Sequence, residues 1–225
     1  MYNWNWQTIY LYRSVFLQGA WLTLYLTLVV VVIGTLLGSL LAILKKSPNK
    51  ILAIFANAYI EVFRALPILV LLIWIYYVMP ILFDWKINAF WVAVIGISLH
   101  LSAFTAETIR AGVESIPKGQ FESGHALGLS LKQIMIHIVL PQAIKNMIPN
   151  LLGLYINELK NSSLASVIAV DDLLHRSNVL ISSTYRPLEI YTTIALVYLI
   201  LIFPFIILTR VVEKRYFKFT SANQI

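Results

Sequence analysis

The stretch that decides the fold is GAWLTLYLTLVVVVIGTLLGSLLAIL, residues 19–44, in which no residue carries a charge. An apolar helix of about 20 residues is long enough to cross a bilayer core about 30 Å thick. The run stops abruptly at KKSPNK, residues 45–50, where three lysines, a proline and an asparagine cluster. The sequence therefore predicts a transmembrane helix that ends at a charged turn.

The composition of the whole chain agrees with a membrane protein. Of 225 residues, 60% are hydrophobic and only 12% are charged, and the mean hydropathy is +0.81. Soluble domains carry about 25% charged residues, so both a soluble enzyme and a disordered chain are excluded. Cysteine is absent, which excludes thiol catalysis, disulfide frameworks and thiolate metal sites.

Further apolar runs follow the first one along the chain. They lie at 51–79, 89–112, 143–158 and 190–209, and the stretch 163–170 is a possible extension of the run before it. Together the runs predict an all-α integral membrane protein with five transmembrane helices. Residues 1–225 would then form a single transmembrane domain with its termini on opposite sides of the membrane.

The basic residues indicate the orientation. With the C-terminus inside, ten Lys and Arg fall in the segments 45–50, 113–145 and 210–225, and five fall on the opposite side. Cytoplasmic loops retain Lys and Arg, so this bias predicts an outer N-terminus and a cytoplasmic C-terminus. The net charge of +7 is then explained by topology, and no nucleic-acid partner is expected.

The cytoplasmic segment 113–142 is too polar to cross a membrane but has the punctuation of two helices. Pro117 is suited to a first helical turn, because the N–H that proline lacks would be unpaired there. Gly128 is suited to end that helix in a left-handed conformation, and Ser130 to cap the next. The segment therefore predicts a short helix, a break and a second helix, an element that can dock into a groove of another protein.

Specific residues in this segment resemble the EAA loop of bacterial ABC-importer permeases. The match consists of Glu122, then Gly128 after five residues, Ile138 after nine more, and Leu140-Pro141. Other stretches resemble the polar-amino-acid subfamily: SIPKG at 115–119, ALGLS at 126–130, WLTLYLT at 21–27, YIEVFRALP at 59–67 and KNSSL at 160–164. The resemblance covers about 19–215. It departs at Ser123-Gly124, which stand where two alanines are usual.

The resemblance implies a multi-pass permease subunit in the bacterial cytoplasmic (inner) membrane. Its partners would be ABC ATPase subunits, a second permease subunit (identical or paralogous) and an extracytoplasmic amino-acid-binding protein. It also implies which residues couple to the ATPase: Glu122, Ser123, Gly124, Gly128, Leu129, Ser130, Ile138 and Pro141.

The sequence agrees that the energy source lies on another chain. A phosphate-cradling loop needs G-x-x-x-x-G-K-[ST], and no such run occurs here. We therefore expect a transport subunit without enzymatic activity, with no cofactor or metal on this chain and with ATP and Mg on the partner ATPase.

Two pairs of opposite charge fall inside the predicted spans. Glu61 and Arg64, like Glu107 and Arg110, are three residues apart and so share a helix face. An ionisable residue at the bilayer centre costs about 2.5–3.5 kcal/mol on insertion scales. One interpretation is that each pair neutralises itself, and the other is that some of these residues line the translocation path. Pro67 can break its span, and freed backbone at membrane depth occurs where it lines protein or a wet cavity.

The polar segment 157–163 interrupts an otherwise apolar stretch. One interpretation is an ordinary outer turn, and the other is a discontinuous helix that presents polar groups to a substrate. On the second, Glu158 pairs with a cationic side chain, and Asn161 and Ser162 bind the α-amino or α-carboxyl group. We include Glu61 and Arg64 in the same candidate substrate-binding set. A cationic amino acid is the first expectation; a neutral or acidic one, with Lys160 on a carboxylate, is the alternative.

Three smaller features complete the sequence analysis. Gly34 and Gly38 form G-x-x-x-G, which permits close packing between helices. Asp171-Asp172 is predicted to begin an outer helix, and the histidines are interpreted as structural. Two rival functions have no support in the sequence. An intramembrane hydrolase would need a Ser–His pair on one helix face, and a secondary transporter working alone would need an internal repeat; neither is found.

Overall fold

The computed structural model describes residues 2–84 and 87–217, and every regular element in those ranges is helical. The elements are α1 (Gln7–Leu11), α2 (Arg13–Lys45), α3 (Lys50–Ala65), α4 (Ile68–Phe83), α5 (Ala89–Glu114), α6 (Lys118–Ala126), α7 (131–161), a 3₁₀ helix (Ser162–Ile168), α8 (Leu173–Thr184) and α9 (Pro187–Phe217). Helix α4 contains a π-helical turn at Trp74–Val78, and α7 contains one at Ile134–Val139. The predicted all-α class is confirmed for the described residues.

Three of these helices, α2, α5 and α9, are long and apolar enough to cross a membrane. A fourth span results if α3 and α4 count as one broken span. The predicted run at 143–158 lies in α7, where Lys145, Asn150 and Glu158 lower the hydropathy. The count of five spans and the orientation of the termini therefore stay predictions.

The second predicted span is broken at Leu66 and Pro67. Both residues have extended backbone, and α3 and α4 meet there at 104°. Proline disfavours the helical conformation of the residue before it and has no N–H to continue the helix. The prediction that Pro67 breaks its span is confirmed.

The core of the molecule lies between α2 and α5. Leu26 and Val30 of α2 are buried with Ile97 and Leu101 of α5. A Cβ added at Gly38 would lie 2.6 Å from the Ser102 carbonyl oxygen of α5, and one at Gly34 would lie 2.8 Å from the Leu101 side chain. The two glycines therefore bring α2 and α5 into backbone contact within one chain, as the small-residue spacing predicts.

The residues that begin and end the helices of the segment 113–142 act through local contacts, and most of their predicted roles are confirmed. Gly128 has φ +75°, which ends α6. Ser130 caps α7: its Oγ accepts from the Gln133 N–H, while Gln133 Oε1 accepts from the Ser130 N–H at 2.9 Å. Pro117 is the N-cap residue of α6, one position before the first helical turn in which the sequence places it.

An N-terminal segment packs against the beginning of α9 through a buried carboxylate that the sequence analysis does not single out. Glu189 is fully buried and accepts a hydrogen bond from the Asn5 N–H at 2.8 Å and another from the Tyr2 hydroxyl. Arg186 donates to the Asn3 carbonyl oxygen at 2.8 Å. These bonds join the N-terminal segment to the beginning of α9.

Helix α8 begins, as predicted, at Asp172. Its Oδ1 accepts from the His175 N–H at 2.7 Å, which caps the helix. Its Oδ2 is buried and has no hydrogen-bond partner among the described residues. Burial, together with the nearby Asp171, raises the pKa of Asp172 from 3.8 to about 7.

This environment predicts a pH dependence of stability. Because the folded-state pKa of Asp172 lies above its ordinary value, the stabilisation is complete below about pH 4 and is lost as the pH rises through about 7. The thermal unfolding temperature of the purified protein in detergent should therefore decrease as the pH is raised from 5 to 8. Asp172→Asn keeps the capping oxygen and should flatten this slope; an unchanged slope would contradict the assignment.

Candidate functional site

The segment 113–142, which contains α6, exposes most of the residues predicted to couple to an ATPase. Glu122, Ser123, Gly128, Ser130 and Pro141 are exposed. Two leucines between them are exposed as well, Leu127 to 77% and Leu131 to 60%. An exposed carboxylate beside exposed apolar side chains is a surface to which a partner protein can bind.

The inner surface of α6 explains the departure at position 124. Gly124 is buried against α7, and a Cβ there would lie 2.7 Å from Ile134 Cγ1 and 3.3 Å from Ile138 Cδ1. Alanine at this position would require Ile134 to move. Three members of the predicted coupling set, Gly124 and the half-buried Leu129 and Ile138, therefore lie beneath the exposed surface.

A network of charged side chains joins the ends of α2, α3 and α5 just before α6. Glu107 accepts from Arg110 Nε at 2.9 Å and from Lys45 Nζ at 3.3 Å. Arg110 also pairs with Glu114, which lies 3.2 Å from Lys46 Nζ. The carboxylates are thus compensated by cations of two different helices.

The two predicted charge pairs behave differently. Glu107 and Arg110 pair with each other, but Arg64 lies 4.0 Å from Glu107 rather than against Glu61. Glu61 is exposed on α3 and has no ion pair among the described residues. The interpretation that each pair neutralises itself is therefore wrong for Glu61 and Arg64.

The polar segment 157–163 is helical, so the interpretation as an ordinary turn is also wrong. Helix α7 continues to Asn161 and tightens into the 3₁₀ helix at Ser162. The Glu158 side chain is buried, with 4% exposed, and its two oxygens each lie 3.5 Å from Asn161 Nδ2. The Ser162 hydroxyl donates to the Leu159 carbonyl at 2.8 Å, and Lys160 is exposed.

The candidate substrate-binding residues thus form two groups rather than one. Glu158 and Asn161 lie together at the end of α7, whereas Glu61 and Arg64 lie on an exposed part of α3. Between them stand two rings of α5: the Arg64 guanidinium lies 5.6 Å from the Phe104 ring, which lies 4.9 Å from the His100 ring.

His100 is a neighbour of Glu158 that the sequence analysis does not anticipate. Its Nδ1 lies 4.0 Å from Glu158 Oε1, so the imidazole belongs to the candidate site. The spacing of His100, Phe104 and Glu107 places them on one face of α5, but it does not indicate that Glu158 lies across from that face.

Sequence comparisons relate the chain to transport proteins. A family model described as "Binding-protein-dependent transport system inner membrane component" matches residues 34–218. The "Putative glutamine transport system permease protein GlnP" of Rickettsia prowazekii (strain Madrid E) is 36% identical over 199 residues, which cover 88% of this chain and 91% of the relative. The "Arginine transport system permease protein ArtQ" of Bacillus subtilis (strain 168) is 34% identical over 199 residues, with the same coverage of both chains.

Solved structures agree with these relatives. A chain from "Crystal structure of an amino acid ABC transporter with histidines" superposes with a TM-score of 0.91 and 36% identity, covering 95% of this chain and 100% of that one. A chain of the MetNI methionine ABC transporter in an inward-facing conformation gives a TM-score of 0.72 at 20% identity, covering 89% and 96%. The second likeness concerns the fold alone.

Proposed function

The chain belongs to the family of inner membrane components of binding-protein-dependent transport systems, and from this membership we propose that it is the permease subunit of an ABC importer for cationic amino acids. It is a transport subunit of the bacterial inner membrane and not an enzyme. The single observation that carries the substrate class is the buried carboxylate of Glu158, which lies beside the Asn161 amide of the same segment.

The proposed assembly surrounds this chain with separate subunits. A second permease subunit completes the pore, and two ATPase subunits, which supply ATP and Mg, each bind the exposed surface of α6 on one permease subunit. An external binding protein delivers the amino acid. The chain itself is one transmembrane domain of five spans with an outer N-terminus and a cytoplasmic C-terminus. The exposed Glu122, Leu127 and Leu131 support the docking surface.

We assign the translocation path to the exposed face of α3 near the break at Pro67. Arg64 is 42% exposed and Glu61 is exposed, although both belong to a helix of a broken span. Charges at membrane depth face water or protein rather than lipid. In this proposal Glu61 and Arg64 meet the amino acid in passage, whereas Glu158, Asn161 and Ser162 hold it.

Glutamine-transport relatives favour a second candidate, a permease for neutral amino acids. In that case the Asn161 amide and His100 would bind the substrate side chain, and Lys160 would be available for its carboxylate. The two candidates share the fold and the partners and differ only in the charge that the site accepts.

The rival functions have less support. The Ser98 hydroxyl is directed at the Val30 carbonyl oxygen of α2, 3.5 Å away, so it is not activated by His100 as a hydrolase nucleophile would be. A transporter working alone would continue without ATP, which the reconstitution below tests directly.

The first experiment reconstitutes the permease with the ATPase encoded beside it. ATP hydrolysis and amino-acid uptake in liposomes are measured against a panel of amino acids, with and without ATP and with and without the binding protein. Stimulation by arginine, lysine or histidine is expected. Stimulation by glutamine or glutamate instead would keep the importer and reject the cationic substrate class; uptake that needs no ATP would reject the importer.

The role of Glu158 predicts a selective defect. Glu158→Gln keeps the shape of the side chain but removes its charge. The arginine concentration that half-maximally stimulates ATP hydrolysis should therefore rise about tenfold or more, which corresponds to a loss of about 1.4 kcal/mol in binding free energy, while the value for glutamine changes little. Lys160→Gln, which changes an exposed residue of the same segment, is the matched control. An equal loss for arginine and glutamine would refute the charge-reading role.

A further inference from the structure

The carboxylate of Glu158 has a neighbour whose ring is not otherwise bonded. His100 Nδ1 is buried and has no hydrogen-bond partner among the described residues. It lies 4.0 Å from Glu158 Oε1, longer than a hydrogen bond but within range of an ion pair. Asn161 approaches the same carboxylate only at 3.5 Å. Glu158 is thus surrounded by protein without a short hydrogen bond to it.

A buried carboxylate without a close partner is costly, because its lost hydration is not replaced. Among the described residues, His100 is the one potentially cationic side chain within ion-pair distance of Glu158. The cationic group of an amino-acid substrate would need the same position beside Oε1. Imidazole and substrate therefore compete for one carboxylate.

The placement of His100 also puts it in the way of the substrate. Its ring packs on Phe104, with centroids 4.9 Å apart, and the guanidinium of Arg64, an exposed residue of α3, lies 5.6 Å from the same Phe104 ring. On the path proposed above, a substrate that moves from the α3 face to Glu158 would pass the two rings of α5. His100 is the last group that it meets.

We propose that His100 is a specificity-determining residue whose ring occupies the place beside Glu158 that the substrate's side-chain group takes on binding. A cationic side chain replaces the imidazole and gains the carboxylate. A neutral side chain leaves the imidazole near Glu158 and binds beside it. The inference rests on the proposed function, since it requires Glu158 to face the substrate.

The test measures equilibrium binding of labelled arginine and glutamine to the purified permease–ATPase complex, without binding protein. His100→Asn removes the potential cation, and the ratio of arginine to glutamine affinity should rise about tenfold. His100→Lys supplies a permanent cation, and the ratio should fall by a similar factor. His175→Asn, a histidine of α8, is the matched control and should leave the ratio unchanged.

The outcomes separate this inference from the proposed function. If Glu158→Gln leaves the ratio unchanged, the proposed role of Glu158 fails. If Glu158→Gln lowers the ratio but neither His100 variant changes it, only the inference is overturned, and His100 is structural. In the Glu158→Gln background His100→Asn should have no further effect on the ratio. If His100→Lys does not accumulate, the test rests on His100→Asn, which should raise the ratio of arginine to glutamine affinity; an unchanged ratio would overturn the inference.

Discussion

Glu122→Lys is expected to abolish co-purification of the ATPase while the permease remains in the membrane. Glu122 is exposed on α6 and makes no ion pair among the described residues, so its replacement leaves the fold of this chain intact. A reversed charge in an interface costs several kcal/mol through like-charge contact and desolvation. At about 1.4 kcal/mol for each factor of ten, the loss of bound ATPase should be tenfold or more.

Gly128→Trp should strengthen this effect in the double variant. Gly128 has φ +75°, a conformation that costs a residue with a Cβ about 1–2 kcal/mol, and its position beside the exposed Leu127 would place an indole on the docking surface. Membrane extraction followed by pull-down of the ATPase measures the result. Lys50→Glu, an exposed charge reversal at the start of α3, is the control. If the double variant still co-purifies with the ATPase, the docking assignment is wrong.

Gly38→Leu is expected to prevent accumulation of folded permease. The first carbon of any side chain at position 38 would already lie 2.6 Å from a backbone oxygen of Ser102 and 2.6 Å from Thr105 Cβ. Overpacking costs about 1–3 kcal/mol where side chains can adjust, and here backbone must move. The contact lies between α2 and α5, which form the core of the chain.

A matched glycine serves as control for this second prediction. Gly153 on α7 has no heavy atom within 4 Å of an added Cβ, so Gly153→Leu should be tolerated. Size-exclusion chromatography in detergent and the thermal midpoint of each variant measure the difference. Equal yield and equal stability of Gly38→Leu and wild type would contradict the close approach of α2 and α5.

The geometry also suggests how movement of α6 reaches the spans. The charge network at Glu107 ties α5 to the ends of α2 and α3, and α6 follows α5 after only three residues. Gly124 presses α6 onto the π-helical turn of α7. We therefore expect a force applied to α6 to reach several helices at once, through short polar contacts on one side and close packing on the other.

The sequence by itself determined the features that depend on a few neighbouring residues. The break at Pro67 follows from the missing N–H, the end of α6 at Gly128 from the absent Cβ, and the start of α8 at Asp172 from its capping carboxylate. The lengths of the apolar runs indicated α2, α5 and α9, because a helix that crosses a bilayer core needs about 20 apolar residues in succession.

Only the tertiary structure decided which distant residues meet. Helix periodicity places Arg64 and Glu61 on one face, but the crossing of α3 and α5 turns Arg64 toward Glu107. Sequence spacing gives no reason to join His100 to Glu158 or Tyr2 to Glu189. These contacts arise because whole helices pack at distances and angles fixed by their shapes, and the pattern along one helix carries no record of which residue stands across from it.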